Sequence, residues 1–258
     1  MPKTESACLP AHSVLCLLTL LALSTWTATA LAQTRTDSPY YARANTFGIF
    51  TAYSGDSSHI LLGDAQNRRL LDFGVSYSRR LYRNRIVNWQ YDGELLPVAL
   101  ESDPVVHTVT TQTSPVEWTY SSNTREVAAC VAASGSFQYG SPGRIYSGTY
   151  VQTCTRQWNI GEGISPVGMQ WNFLPRHKMQ PFLVGHGGYM YSTTAIPVDH
   201  AGSFNFTFDL GAGIELYRSK TRSVRASYRY HHISNHETAS ENPGIDNGLF
   251  QVTYAFGR

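Results

Sequence analysis

The sequence predicts an all-β chain, an eight-stranded antiparallel transmembrane β-barrel. Three observations predict it. Apolar and polar residues alternate with a period of two, the strand period, in eight separate segments. Charged residues are only 15% of the chain while aromatic residues are 12%, with 16 Tyr and 5 Trp. That balance suits a wall that meets lipid and carries aromatic girdles. The connectors between segments alternate between short and long, as the turns and external loops of an outer-membrane barrel do.

The first element is a secretory signal over residues 1–32. Lys3 precedes an apolar core at 13–23, and Ala30-Leu31-Ala32 is an A-x-A cleavage site, so the mature chain is expected to begin near Gln33. Cys8 and Cys16 leave with the signal, and neither ends the apolar run as lipid attachment requires. Beyond residue 32 no apolar run reaches the roughly 18 residues of a membrane helix. The remainder, 33–258, reads as one barrel domain.

The strand segments fall at about 45–54, 70–80, 85–101, 158–174, 180–192, 204–217, 222–235 and 246–257. The clearest is Phe204-Asn205-Phe206-Thr207-Phe208-Asp209-Leu210-Gly211-Ala212-Gly213-Ile214-Glu215-Leu216, in which every even residue is apolar. Large apolar side chains fill one face throughout. The opposite face holds Asp92, Glu94, Asp209, Glu215, Arg225 and Arg229. A polar face this charged points inward in a barrel whose apolar face meets lipid. Soluble sandwiches alternate too, so the connectors decide. Those near 81–84, 175–179 and 218–221 are short turns; the others are longer. An even strand count then puts both ends of the barrel on the periplasmic side. The longest connector, 102–157, is rich in Thr, Ser and Gly and is expected as a long external loop. It holds Cys130 and Cys154, which in an exported chain without a C-x-x-C motif read as a structural disulfide.

Near the end of the chain the alternation produces an anomaly. The lipid-side face of the seventh segment reads Val224, Ala226, Tyr228, Tyr230, His232, Ser234; that of the eighth, counted back from Phe256, reaches Gly248 and Asp246. The seventh strand runs outward and the eighth inward, so His232, Ser234 and Asp246 all lie at the external end, facing the outer leaflet. A serine needs a base to become a nucleophile. A neighbouring strand brings a carboxylate within reach of the imidazole's other nitrogen. Asn235 and Asn242 flank the group with amide donors suited to an oxyanion. The alternative is that these residues are ordinary polar groups of a barrel rim.

Other signals are weaker. His231 and His232 fall on opposite faces, so with His236 and Glu237 they do not make a shared metal site, and no metal is expected. Gly185-His186-Gly187-Gly188 and Gly211-Ala212-Gly213 precede no helix and are not phosphate loops. A net charge of +2 argues against a nucleic-acid partner.

His232-Ile233-Ser234-Asn235 followed by Asn242-Pro243-Gly244-Ile245-Asp246 resembles the motif of the lipid A 3-O-deacylase family of outer-membrane acyl-ester hydrolases. The resemblance implies Ser234 as nucleophile, His232 as base and Asp246 as the orienting acid, with Asn242 and Asn235 at the oxyanion. It implies lipid A of lipopolysaccharide as the partner, a bacterial outer-membrane location and no cofactor, and leaves a homodimer open. Two departures stand out: Asp246 is one methylene shorter than the family's Glu, and His236-Glu237 occupy positions expected to be small. The rival readings are a structural or adhesive barrel that displays 102–157, and a phospholipase or acyltransferase with the same triad.

Overall fold

In the computed structural model, residues 39–258 are described; the signal expected at 1–32 lies outside them. Ten strands run through this stretch: β1 (Asn45–Ser54), β2 (Arg69–Arg83), β3 (Val87–Ser114), β4 (Trp118–Thr124), β5 (Ala133–Ser141), β6 (Arg144–Phe173), β7 (Met179–Ser192), β8 (Phe204–Ser219), β9 (Arg222–Ser234) and β10 (Ile245–Gly257). They form one antiparallel sheet in the order β4-β3-β2-β1-β10-β9-β8-β7-β6-β5, and β3 also pairs with β6. That pairing, from Val87↔Phe173 to Ser114↔Ser147, closes the sheet into a ring of eight strands. Closure leaves the ring no open edge, which a wall surrounded by lipid requires.

The eight expected segments fall on the eight strands of the ring, with ends shifted by a few residues except that β3 runs on to Ser114 and β6 starts at Arg144. The stretch 102–157 differs from its expected form. It is built as sheet, because β3 and β6 continue past the ring and take β4 and β5 as flanking strands. Runs such as Val105-Val106-His107-Thr108-Val109-Thr110-Thr111 explain this: Thr is β-branched and favours strands as Val does. Counting Thr with the loop-forming residues hid the signal. A disulfide between Cys130 and Cys154 ties the β4–β5 connector to β6.

The wall is apolar outside and polar inside. Phe47, Ile49, Phe206, Phe208, Leu210, Phe250, Tyr254 and Phe256 are exposed, while Asp92, Glu94, Gln170, Asp209, Glu215, Arg225 and Arg229 are buried. The interior charges balance one another. Arg229 reaches Glu94 at 3.2 Å and Asp209 at 3.4 Å. Arg43 meets Glu215 at 2.5 Å, and Arg225 meets it at 3.4 Å. Gln251 donates to Glu94 at 2.9 Å. These groups fill the ring and leave a cavity of about 30 Å³ near Glu94, Asp209, Arg229 and His231. That is room for water and not for a permeant solute.

At the external end, Arg68 is fully buried and gathers the connectors. It bonds Asp103 at 3.2 Å and the carbonyls of Val127 at 2.8 Å and Pro197 at 3.2 Å. Arg125 joins Asp103 at 3.1 Å to Asp199 at 2.6 Å. Burial lowers the Arg68 pKa, opposed by the Asp103 charge, whereas Arg125 is raised by Asp199 and Asp103 against its own desolvation.

Removing one partner from a buried ion network leaves charge without compensation, at a cost of about 3–5 kcal/mol. Arg229→Ala, which removes the guanidinium from Glu94 and Asp209, should therefore lower the unfolding free energy of the micelle-refolded barrel by that amount, read as a lower urea midpoint. A midpoint equal to wild type would mean the network contributes nothing.

Candidate active site

The register of β8, β9 and β10 builds the site. Asp246 pairs directly with His232 across β10 and β9. On the other side of β9, Phe206 pairs with Ser234 and Phe208 with His232. Directly paired residues hold their Cβ atoms about 4.5–5.5 Å apart, close enough for short side chains to touch. The outcome is a hydrogen bond of 2.6 Å between His232 Nδ1 and Asp246 Oδ1.

Asp246 is completely buried although it sits on the outward face. Tyr230 Oη donates to Oδ1 at 2.8 Å, and the backbone amides of Leu61 and Leu62 donate to Oδ2 at 2.7 and 2.8 Å. The two backbone amides can only donate and the tyrosine hydroxyl donates here, so the carboxylate is ionised and acceptor-only, and the remaining contact is His232 Nδ1–H donating to it. This tautomer leaves the Nε2 lone pair free to take a proton.

Ser234 is held differently. Its Oγ donates to Asn242 Oδ1 at 3.0 Å and accepts from the His236 amide at 3.1 Å. The Asn235 backbone amide also donates to Asn242 Oδ1, at 3.1 Å. An N–H needs an acceptor, so this bond fixes which end of the Asn242 amide faces the serine. The Asn242 Nδ2 turns to Glu237 Oε1 at 3.3 Å. Asn235 is 1% exposed, and its side chain donates to the Glu241 carbonyl at 2.7 Å. Of the five residues named from the sequence, then, His232 and Asp246 touch, Ser234 and Asn242 touch, and Asn235 braces the chain behind them. Among the described residues no hydrogen bond joins Ser234 to His232. Both line one outward groove of about 350 Å³, together with Phe206, Thr207, Phe208 and His236.

His236 and Glu237 have φ of +52° and +61°. Left-handed backbone of this kind disfavours side chains by roughly 1–2 kcal/mol per residue, and the family resemblance had small residues here. The turn they make directs the His236 amide at Ser234 Oγ.

Several participants were not named from the sequence. Tyr230 lies two residues before His232 on the same face, so alternation carried the signal. Phe206 and Phe208 follow from pairing β8 with β9. The amides of Leu61 and Leu62 had no sequence signal at all. His231, on the opposite face from His232, lines the interior cavity.

A second cluster lies inside the ring, where ligand atoms of Asp92, Glu94 and His186 fall within 4.8 Å of one another. Arg229 occupies Glu94 at 3.2 Å, and Arg225 lies 3.9 Å from Asp92. With His186 also 3.1 Å from Asp209, guanidinium groups hold the places a cation would take, and the donor set does not suit a metal.

Three solved structures overlay on the chain. The outer-membrane enzyme PagL is 11% identical, covering 82% of this chain and 99% of its own, with a TM-score of 0.46. Neisserial surface protein A is 11% identical, covering 83% and 97%, with a TM-score of 0.41. OprG from Pseudomonas aeruginosa is 10% identical, covering 86% and 100%, with a TM-score of 0.37. No curated protein matches the chain in sequence. The family model described as lipid A 3-O-deacylase (PagL) matches residues 128–255, a stretch that contains His232, Ser234 and most of β10. Over those residues the chain is a member of the lipid A 3-O-deacylase (PagL) family, whose place is the bacterial outer membrane.

Proposed function

We propose that this barrel is a serine esterase that removes an ester-linked 3-hydroxyacyl chain from the 3-position of lipid A, working in the outer leaflet. The observation that carries the reading is the His232–Asp246 pair, bonded at 2.6 Å on the lipid-facing side of the wall. It shares one groove with Ser234 and an aromatic floor of Phe206 and Phe208. Polar side chains on that side have no structural use against hydrocarbon, whereas an esterase whose substrate lies in the leaflet needs them there.

The reaction follows the serine-hydrolase pattern. Ser234 Oγ turns from Asn242 toward His232 and attacks the ester carbonyl carbon while its proton passes to His232 Nε2. Asp246 holds the ring and balances the imidazolium. The carbonyl oxygen becomes an oxyanion. The donor nearest the nucleophile is the His236 backbone amide, and Asn242 serves there once its amide turns its Nδ2 toward the substrate. The tetrahedral intermediate collapses by breaking the bond to the sugar oxygen, which takes the proton from His232. Water then attacks the acyl-enzyme by the same route and releases the 3-hydroxy fatty acid. Every proton moves between side chains, water and substrate, so the chemistry requires no cofactor.

A mass spectrum of lipid A from outer membranes with and without the protein tests this. The expected result is a loss equal to one 3-hydroxyacyl chain, absent with Ser234→Ala. Unchanged lipid A around a folded, inserted wild-type barrel would overturn the reading. Ser234→Ala and His232→Ala should each abolish deacylation, a loss on the order of 10⁶-fold, with the barrel intact. A fluorophosphonate should label wild type but not Ser234→Ala; labelling of that variant would remove Ser234 as nucleophile. Tyr230→Phe, which deletes one hydrogen bond to the charged Asp246 carboxylate, should cost about 1.5–3 kcal/mol, a roughly 10- to 150-fold fall in kcat.

A further inference from the structure

The connector between β1 and β2, residues 55–68, lies outside the family-matched stretch 128–255. Its middle wraps the start of β10 from both sides. On the incoming arm, Ser57 bridges Asn247 and the Ser58 amide donates to the Asp246 carbonyl at 3.3 Å. On the outgoing arm, the Asp64 amide donates to the Pro243 carbonyl at 2.6 Å and the Ala65 amide to the Gly244 carbonyl at 3.1 Å. Between the arms, the Leu61 and Leu62 amides meet Asp246 Oδ2. His59 Nδ1 lies 2.9 Å from the Gly63 carbonyl and from Asp64 Oδ1, closing the bend.

Gly63 sits at the tightest point. A Cβ there would fall 2.7 Å from Asp246 N and 2.8 Å from the Ile245 carbonyl carbon, both backbone atoms that cannot swing aside. Its need for glycine comes from this close approach. The side chains of Leu61 and Leu62 are 68% and 64% exposed, so what this bend brings to Asp246 is its backbone.

We propose that residues 61–63 are a positioning element for the orienting acid: Gly63 lets the bend dock bare against β10, and the docked amides of Leu61 and Leu62 hold the Asp246 carboxylate where His232 needs it. The inference rests on the esterase reading of Asp246. The amides of Leu61 and Leu62 meet one oxygen, with the Gly63 amide also close to the carboxylate, while Tyr230 and His232 meet the other oxygen. If the bend lifts, Oδ2 loses both partners and the carboxylate is free to rotate about its own axis. The imidazole then loses its fixed orientation while the groove that receives the acyl chain, built from β8 and β9, stays in place.

The test is Gly63→Ala in purified, detergent-refolded protein acting on lipopolysaccharide, alone and combined with Asp246→Asn. Heat-modifiable gel mobility verifies that each barrel is folded. The expected result is a fall in kcat of about 10–100-fold, the effect of a small misplacement of a catalytic group, with KM within about twofold of wild type. In the Asp246→Asn background, followed by slow single-turnover deacylation, Gly63→Ala should change nothing further, because its effect passes through the carboxylate. Wild-type kcat in Gly63→Ala would overturn the inference. So would a fall that multiplies with Asp246→Asn, since that places the effect elsewhere. Should Gly63→Ala not insert, Leu62→Pro, which deletes a single N–H donor, carries the same cycle. If wild-type protein itself leaves lipopolysaccharide unchanged, it is the esterase reading that falls, an outcome separate from either variant result.

Discussion

The pairing of β3 with β6 is what everything else in this molecule depends on. A sheet in lipid cannot leave an edge, because no water is present to take its N–H and C=O groups. Once the ring closes, each residue of the wall is committed to one of two environments by the parity of its position. Charge therefore goes inside, where Arg229, Glu94, Asp209, Arg225 and Glu215 compensate one another, and aromatic and aliphatic side chains go outside. Against that rule, a histidine, a serine and a carboxylate on the outer side require an explanation, and chemistry on a lipid supplies one.

The same rule governs how such a site is built. An outward carboxylate next to hydrocarbon must be covered and hydrogen-bonded. Asp246 is covered by the β1–β2 connector and receives donors from Tyr230, His232 and two backbone amides. The histidine and serine stand on a strand whose two neighbours fix its register along its whole length. Sites on rigid elements keep their geometry better than sites on loops. Here the loops contribute in another way: 236–237 aims an amide at Ser234 Oγ, and 61–62 aims two at the Asp246 carboxylate.

Period-two reasoning recovered what parity determines. The eight strands of the ring, the inward charges and the outward His232, Ser234 and Asp246 all follow from counting by twos, and the direct pairing of His232 with Asp246 needs only antiparallel order. What escaped was set by other forces. The sheet at 102–157 was hidden by composition, since Thr contributes to strands as readily as to loops. The orientation of Asn242 depends on the Asn235 backbone amide, a contact between consecutive turns that no spacing encodes. The amides of Leu61 and Leu62 belong to residues whose side chains argue for hydrocarbon contact, so nothing in their identity points to a buried carboxylate far along the chain.

That last contact also answers the question of the short acid. An aspartate is one methylene shorter than a glutamate, so on reach alone it would be expected to fall short of its histidine. Direct pairing removes the difficulty: with Cα atoms in register, the shorter side chain already makes a 2.6 Å bond to Nδ1. The cost of a short side chain is instead that its carboxylate stays close to its own backbone, beyond the reach of donors carried on side chains of distant elements. Beside the Tyr230 and His232 side chains of the neighbouring strand, the connector's donors come to it as backbone amides. Gly63, where any Cβ would strike Asp246 N and the Ile245 carbonyl carbon, is the residue that permits the approach. Aspartate at 246 and glycine at 63 thus fit one arrangement, in which the connector closes on a short acid.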